Sequence, residues 1–137
     1  MNQYYYMNYI NIDNSQVSLI FRLHKLIDIK MMKVDSLNIG DIHVCDNITK
    51  DIKFIIERKP IYELINDKKK NYSEEIKHLL LSNHNIYYLI EGSQDKLREK
   101  EKDIMVIISD LSYNDKFNVI YTNNIDESIN IIADLIY

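Results

Sequence analysis

The stretch Phe54-Ile55-Ile56-Glu57-Arg58-Lys59-Pro60 decides how this chain is read. Three apolar residues lead straight into three charges, as a core strand would if it delivered them at its tip. Side chains alternate along a strand, so Glu57 and Lys59 face one side and Arg58 the other. Upstream, Gly40-Asp41 opens an earlier strand, with fifteen residues between Asp41 and Glu57. If 42–45 and 53–58 are strands of a hairpin joined through 46–51, Asp41 lies across from Glu57. Two carboxylates converging on one point beside a lysine suit a hard divalent cation and a nucleophilic water. Mg²⁺ takes oxygen ligands and keeps several waters, so Asp41 and Glu57 suffice on the protein side. The cation would neutralise phosphate charge and lower the pKa of a bound water. The Lys59 ammonium would orient that water or steady the developing charge. A plainer reading is a Gly-Asp turn and a solvated charge cluster at a strand end. The apolar run 54–56 argues for a site instead, because it drives the three charges out of a core.

Working outward, 9–13 alternates apolar and polar residues as a short strand ending in the carboxylate of Asp13. Apolar residues then recur at helical spacing over 16–27, with Ser15 as the N-cap. Strand-like alternation returns over 29–37, and Asn38-Ile39-Gly40 makes a bend. Past the central stretch, Pro60 stops the strand and fits the first turn of a helix reaching about 67. Lys68-Lys69-Lys70-Asn71 is a polar break. Ser73 then caps a second helix to Leu81 with Glu74 and Glu75 in its first turn. The continuous apolar run 86–90, bounded by Asn85 and Gly92, reads as a buried strand. Ser93 caps a longer helix to about 111, a strand follows over 117–121, and an amphipathic helix over 126–136 closes the chain. Strands interspersed with helices predict a three-layer α/β domain, a central mixed sheet flanked by helices.

The chain has 137 residues, 46% of them hydrophobic and 28% charged, with two glycines and one proline. That fits one globular domain and excludes a disordered, collagen-like or linker-rich chain. The formal charge of −4 argues against a polycationic coat for nucleic acid, although a basic face fits inside an acidic total. Cys45 is the only cysteine, so no intrachain disulfide forms and a reducing compartment is expected. No apolar run approaches the roughly 18 residues of a membrane span. The start, MNQYYYMNYI, has neither the basic nor the apolar region of a signal peptide. The expectation is a soluble intracellular protein of nucleus or cytoplasm. The Ile, Asn, Lys and Tyr skew reports AT-rich codons, which suit a low-GC genome or a large DNA virus with its own replication site. Only Arg22, Arg58 and Arg98 carry guanidinium, so contacts with phosphate fall mostly to lysine as a point charge.

With these residues in hand, a resemblance is visible. Gly40-Asp41, then Ile56-Glu57-Arg58-Lys59, three residues and the acidic Glu63 before Leu64 resemble the nuclease domain of the XPF family of structure-selective endonucleases. That family's signature is GD, a variable gap, then ERKxxxD, and its fold is similar to that of restriction endonucleases. The likeness extends through Asp35-Ser36-Leu37-Asn38-Ile39, through 71–79 and the strand 86–92, and into the closing strand and helix. It covers about 9–136, and the expected organisation is a single nuclease domain over 1–137 with no trailing helix-hairpin-helix domain. The resemblance implies Asp41 and Glu57 as metal ligands for Mg²⁺ or Mn²⁺ and Lys59 as the catalytic lysine. Arg58 and Glu63 would be supporting residues, and Asp13 would match the acidic residue ending the family's first strand. It also implies branched DNA as substrate, in repair or recombination, and a homodimer formed at the last helix. There, Ile125, Ile129, Ile132, Ala133 and Ile136 cover the sheet, while Leu135 and Tyr137 leave apolar surface to spare.

The departures are specific. The family follows its first Asp with x-Arg-Glu, where this chain has Asn14-Ser15-Gln16. The Arg and Gln of its later segment are replaced by Asn71 and Glu75. These changes remove a charge-assisted phosphate contact and a carboxylate from the site's edge. Lys68, Lys69 and Lys70, with Tyr72 beside them, are candidates to supply the missing grip on DNA, and a solvated loop is the plainer reading of them. A second function follows from the same changes: a non-catalytic pseudonuclease serving as the DNA-binding or structural partner in a heterodimer. The complete set of Asp41, Glu57 and Lys59 opposes it. A zinc site from His43, Cys45, His78 and His84 lacks ligand spacing. The tyrosines, Tyr4-Tyr5-Tyr6 above all, have the chemistry to stack on bases, although packing and codon bias explain them more simply.

Overall fold

The computed structural model describes residues 7–66, 72–93, 105–106, 108–114 and 117–137. Six strands form one sheet, and in chain order they are β1 (Asn8–Asp13), β2 (Met32–Asp35), β3 (Ile42–Asp46), β4 (Ile52–Pro60), β5 (Ile86–Glu91) and β6 (Asn118–Thr122). The helices are α1 (Val17–Leu23), α2 (Ile61–Asn66), α3 (Tyr72–Leu81) and α4 (Ile125–Ile136). In space the strands run β2-β1-β3-β4-β5-β6. The outer pairs β1–β2, β4–β5 and β5–β6 are parallel. The hairpin β3–β4 and its neighbour β1 are antiparallel. The sheet is therefore mixed, as expected. Its parallel parts need crossovers, and 61–81 supplies one.

Alternation sorts side chains to the two faces. On one face Ile10, Ile12, Ile42, Val44, Ile56 and Leu89 meet Leu19 and Leu23 of α1 and Ile129, Ile132 and Ile136 of α4. On the other, Ile55, Ile86, Tyr88 and Ile90 meet Ile61 and Leu64 of α2 and Ile76 and Leu79 of α3. Helices on both faces make three layers. Phe54 and Tyr87 tilt against each other on the first face with ring centroids 4.9 Å apart, a geometry that adds about 0.5–1.5 kcal/mol beyond burial.

Several local expectations are corrected. Ser15 does not cap α1; its amide and hydroxyl both donate to the Asp13 carboxylate. Gln16 occupies the N-cap instead, with no side-chain cap bond. The helix stops at Leu23, whose carbonyl takes the amides of both Leu26 and Ile27 in a tighter turn. Residues Ile29–Met31 form a 3₁₀ turn rather than strand, because the Asp28 side chain accepts the Lys30 amide and bends the chain before β2. Pro60 ends β4, as expected, but α2 opens one residue later at Ile61, and Ser73 lies inside α3 because that helix starts at Tyr72. Leu135 packs against the core cluster, while Tyr137 remains exposed. The long helix expected after Ser93 falls mostly outside the described residues, as do Lys68, Lys69, Lys70 and Tyr4-Tyr5-Tyr6. Among the described residues no helix is long and apolar enough to cross a membrane.

Candidate active site

Asp41 sits where three strands meet. Its carbonyl accepts the Asp13 amide of β1 at 2.9 Å and its own amide donates to the Ile56 carbonyl of β4 at 3.0 Å. Its side chain is held from two sides: Oδ2 accepts the Arg58 amide at 2.8 Å and Oδ1 accepts Gln16 Nε2 at 3.0 Å. Gly40 makes this possible. Its φ is +70°, and a Cβ there would stand 2.3 Å from Cγ2 of the buried Ile55, so only glycine turns the chain this closely over β4.

Glu57 enters from β4 beside Asp41, and the two carboxyls share a hydrogen bond. Burial pushes both above the usual carboxylate range, and the charge of Asp41 drives Glu57 well above it. A close, half-buried carboxyl pair keeps a proton because two negative charges sit poorly together there without a cation. The donor set is two hard oxygens whose mutual repulsion a divalent cation would relieve, which fits Mg²⁺ or Mn²⁺. Among the described residues no group of three His, Cys, Asp or Glu side chains forms a metal cage. His43 bonds the Ile39 carbonyl at 2.7 Å, so it is engaged in holding the bend.

Lys59 points to the same side. Its Nζ donates to Glu75 Oε2 of α3 at 2.6 Å. Burial alone would lower its pKa, but the Glu75 hydrogen bond and the charges of Glu75, Glu57 and Glu63 outweigh that and raise it. The ammonium is therefore kept charged. Glu63, in the first turn of α2, acts on this centre through its charge.

Arg58 points to the opposite face. Nε and Nη2 clasp Glu91 of β5 at 2.9 and 2.5 Å, and Ser128 of α4 donates to Glu91 at 2.6 Å. The Ser128 hydroxyl also pairs with Thr122 of β6 at 2.6 Å. Arg58 thus ties the strand bearing Glu57 and Lys59 to β5, β6 and α4. Asp13 lies near, not in, the centre: Oδ1 accepts the Leu37 amide at 2.8 Å, and the Ser15 and Leu37 bonds hold its pKa down. Its charge reaches Asp41.

Sequence reasoning underrated Gln16 and Glu75. Both stood out only as departures, yet each bonds directly to a central residue. Their signal was that they exchange character, an amide where a carboxylate was expected and a carboxylate where an amide was. Glu91 and Ser128 gave no signal, because their roles depend on partners 33 and 70 positions from Arg58 in the chain.

A mixed sheet between two helical layers, with a half-buried carboxyl pair and a buried lysine at the tip of its central strands, defines a restriction-endonuclease-like α/β core. A family model for the ERCC4 domain matches residues 13–135, and the chain belongs to the ERCC4 domain family. The structure is similar to XPF from Aeropyrum pernix, with a TM-score of 0.74 at 16% identity over 93% of this chain and 62% of that one. Against XPF from Aeropyrum pernix in complex with DNA the TM-score is 0.70, again at 16% identity, over 92% and 63%. The chain thus spans less than two thirds of those XPF chains. No curated protein matches it by sequence.

Proposed function

We propose that this chain is a divalent-metal-dependent endonuclease that hydrolyses phosphodiesters at branch points in DNA, such as flaps, forks and four-way junctions. The observation that carries this reading is the convergence of Asp41 and Glu57, half-buried at the tip of β3 and β4, beside the buried Lys59 that Glu75 holds. Asp41 and Glu57 are the residues to hold Mg²⁺ or Mn²⁺, and the bound cation would supply charge neutralisation at the scissile phosphate. Lys59 is aimed to donate a hydrogen bond to the attacking water or to a phosphate oxygen. Glu75 holds the ammonium in place, and Arg58 holds the strand. Repair and recombination are the settings such substrates imply, and a homodimer would bring two centres to two strands.

The test uses labelled splayed-arm, 3′-flap and four-way-junction DNA with Mg²⁺ or Mn²⁺, with Glu57→Gln and Lys59→Ala in parallel. Metal-dependent cuts near the branch, lost in both variants, are the expected result. One observation favours a second reading, a pseudonuclease within a heterodimer: the Gln16 amide occupies Asp41 Oδ1, where the family carries a carboxylate. Binding without cleavage, unchanged in both variants, would decide for it.

A further inference from the structure

On the face of the sheet that carries Glu57 and Lys59, the apolar cluster under α2 and α3 draws nothing from β1, β2 or β3. Along that half, Tyr9, Asn11 and Asp13 of β1 point outward from the core formed by Ile10 and Ile12 on the other face. Asp13 lies beside the candidate centre, where its charge reaches Asp41. Tyr9, four residues away and therefore about 13 Å along the strand, borders an open depression of about 440 Å³ lined by Tyr9, Lys30, Lys33, Asn47 and Lys50. Three of these five residues are lysines and none is acidic, on a chain whose formal charge is −4.

The backbone sets where these lysines stand, and the side chain of Lys50 is also held. Lys33 is paired with Asn11 in the parallel register of β1 and β2, and Lys30 sits in the 3₁₀ turn fixed by Asp28. Lys50 adopts φ +67°, donates to Asn47 O at 2.6 Å and Oδ1 at 3.3 Å, and lies 5.3 Å over the Tyr9 ring. All its partners are neutral, so its charge is held but not cancelled. Among the described residues none of the three lysines has a carboxylate within ion-pair distance. Three lysines lining one concavity, none of them ion-paired among the described residues, suit an anion with several charges spaced along it.

We propose that this depression is a second DNA contact, holding substrate phosphates about four nucleotides along the duplex from the scissile bond, at 3.4 Å per nucleotide. It rests on the nuclease reading for the identity of its ligand. Lysine suits the task because backbone contacts need positive charge rather than the bidentate fork of arginine. The site grips without reading sequence.

The test measures binding of fluorescent duplex and flap DNA in EDTA across a salt series. It compares the wild type, a triple Lys30→Glu, Lys33→Glu, Lys50→Glu variant, the single Lys33→Gln, and the triple change to Arg. The charge-reversed protein is expected to bind roughly 10- to 100-fold more weakly, with a log–log salt slope shallower by about 2 to 3, near 0.9 per lost contact. Lys33→Gln should lose about one unit of slope, and the Arg variant should keep the wild-type slope. Unchanged affinity and slope in both Lys-to-acid and Lys33→Gln proteins would overturn the proposal. So would weakened binding of inorganic phosphate with DNA binding intact, which would mark a small-anion site. Cleavage on the same DNA separates this from the nuclease reading. A wild type that binds through the lysines but never cuts would sink the nuclease reading alone. Equal cutting and binding with and without the lysines would sink the second contact alone, and a wild type that binds no DNA would sink both.

Discussion

Lys59 reaches from the tip of β4 to Glu75 on α3, Nζ to Oε2 at 2.6 Å, with the lysine side chain 8% exposed and the glutamate 40%. The pair joins the strand that carries the candidate centre to the helix packed over it. Removing Glu75 leaves a buried ammonium with only Glu57 and Glu63 to balance it. A fully buried pair broken this way costs about 3–5 kcal/mol, and the exposure of Glu75 reduces that to about 1–2 kcal/mol for Glu75→Ala. The urea midpoint, at constant m, is the readout. Lys59→Met should change stability less and lower cleavage about 10²–10³-fold, separating the lysine's chemistry from its structural part.

Asp41 and Glu57 make stability depend on pH. The pair holds a proton, mainly on Glu57, in the folded chain at a pH where the unfolded chain has released it. The native state therefore binds more protons from the ordinary carboxylate range up to the raised folded values, and stability falls as pH rises through that window. Measured against Glu57→Gln, the thermal midpoint of EDTA-treated wild type is expected to fall as pH rises above the ordinary carboxylate range of about 4. Mn²⁺ should flatten the fall by replacing the proton, and Glu57→Gln should remove most of it. A wild-type midpoint that climbs relative to Glu57→Gln as pH rises in EDTA would contradict a retained proton.

Gly40→Ala places a methyl 2.3 Å from Ile55 Cγ2 at a φ of +70°. Strain and overpacking together predict a loss of about 2–3 kcal/mol. Because Asp41 follows directly, cleavage should fall more steeply than the folded fraction. Activity per folded molecule, with chemical denaturation as the control, checks this.

Arg58 and Glu91 are a partner-satisfied pair with side chains 17% and 11% exposed. Glu91→Gln or Arg58→Met alone should cost about 3 kcal/mol by stranding a charge, whereas Arg58→Met with Glu91→Leu should recover much of it. Ser128→Ala removes one hydrogen bond to the carboxylate and is expected to cost about 1.5 kcal/mol. A double-mutant cycle with no coupling between Arg58 and Ser128 would show that α4 is not tied to β4 through Glu91.

Gln16→Glu adds a carboxylate against Asp41 Oδ1. Without metal the added charge should destabilise the fold at neutral pH. With Mn²⁺ it should raise metal affinity about tenfold, since ligand charge tunes such sites. Metal titration followed by thermal shift reads both effects, and affinity unchanged within twofold would remove Gln16 from the centre's surroundings.

The sequence by itself determined the layers and the central constellation. Alternation along 54–59 put Glu57 and Lys59 on one face and Arg58 on the other, because the period of a strand is a local property. The same locality placed β5 at its apolar run and α4 at its amphipathic stripe. Only the tertiary structure decided that Gln16 and Glu75 complete the centre, that Arg58 locks onto Glu91 and Ser128, and that Lys30, Lys33 and Lys50 share one depression with Tyr9. These contacts join residues far apart in the chain, brought together by the strand order β2-β1-β3-β4-β5-β6. Spacing carries no record of such order. Ser15 failed as a cap for a related reason: the Asp13 carboxylate bonds its amide and hydroxyl where β1 ends. Which of two polar partners wins depends on where the backbone has already been carried by its packing.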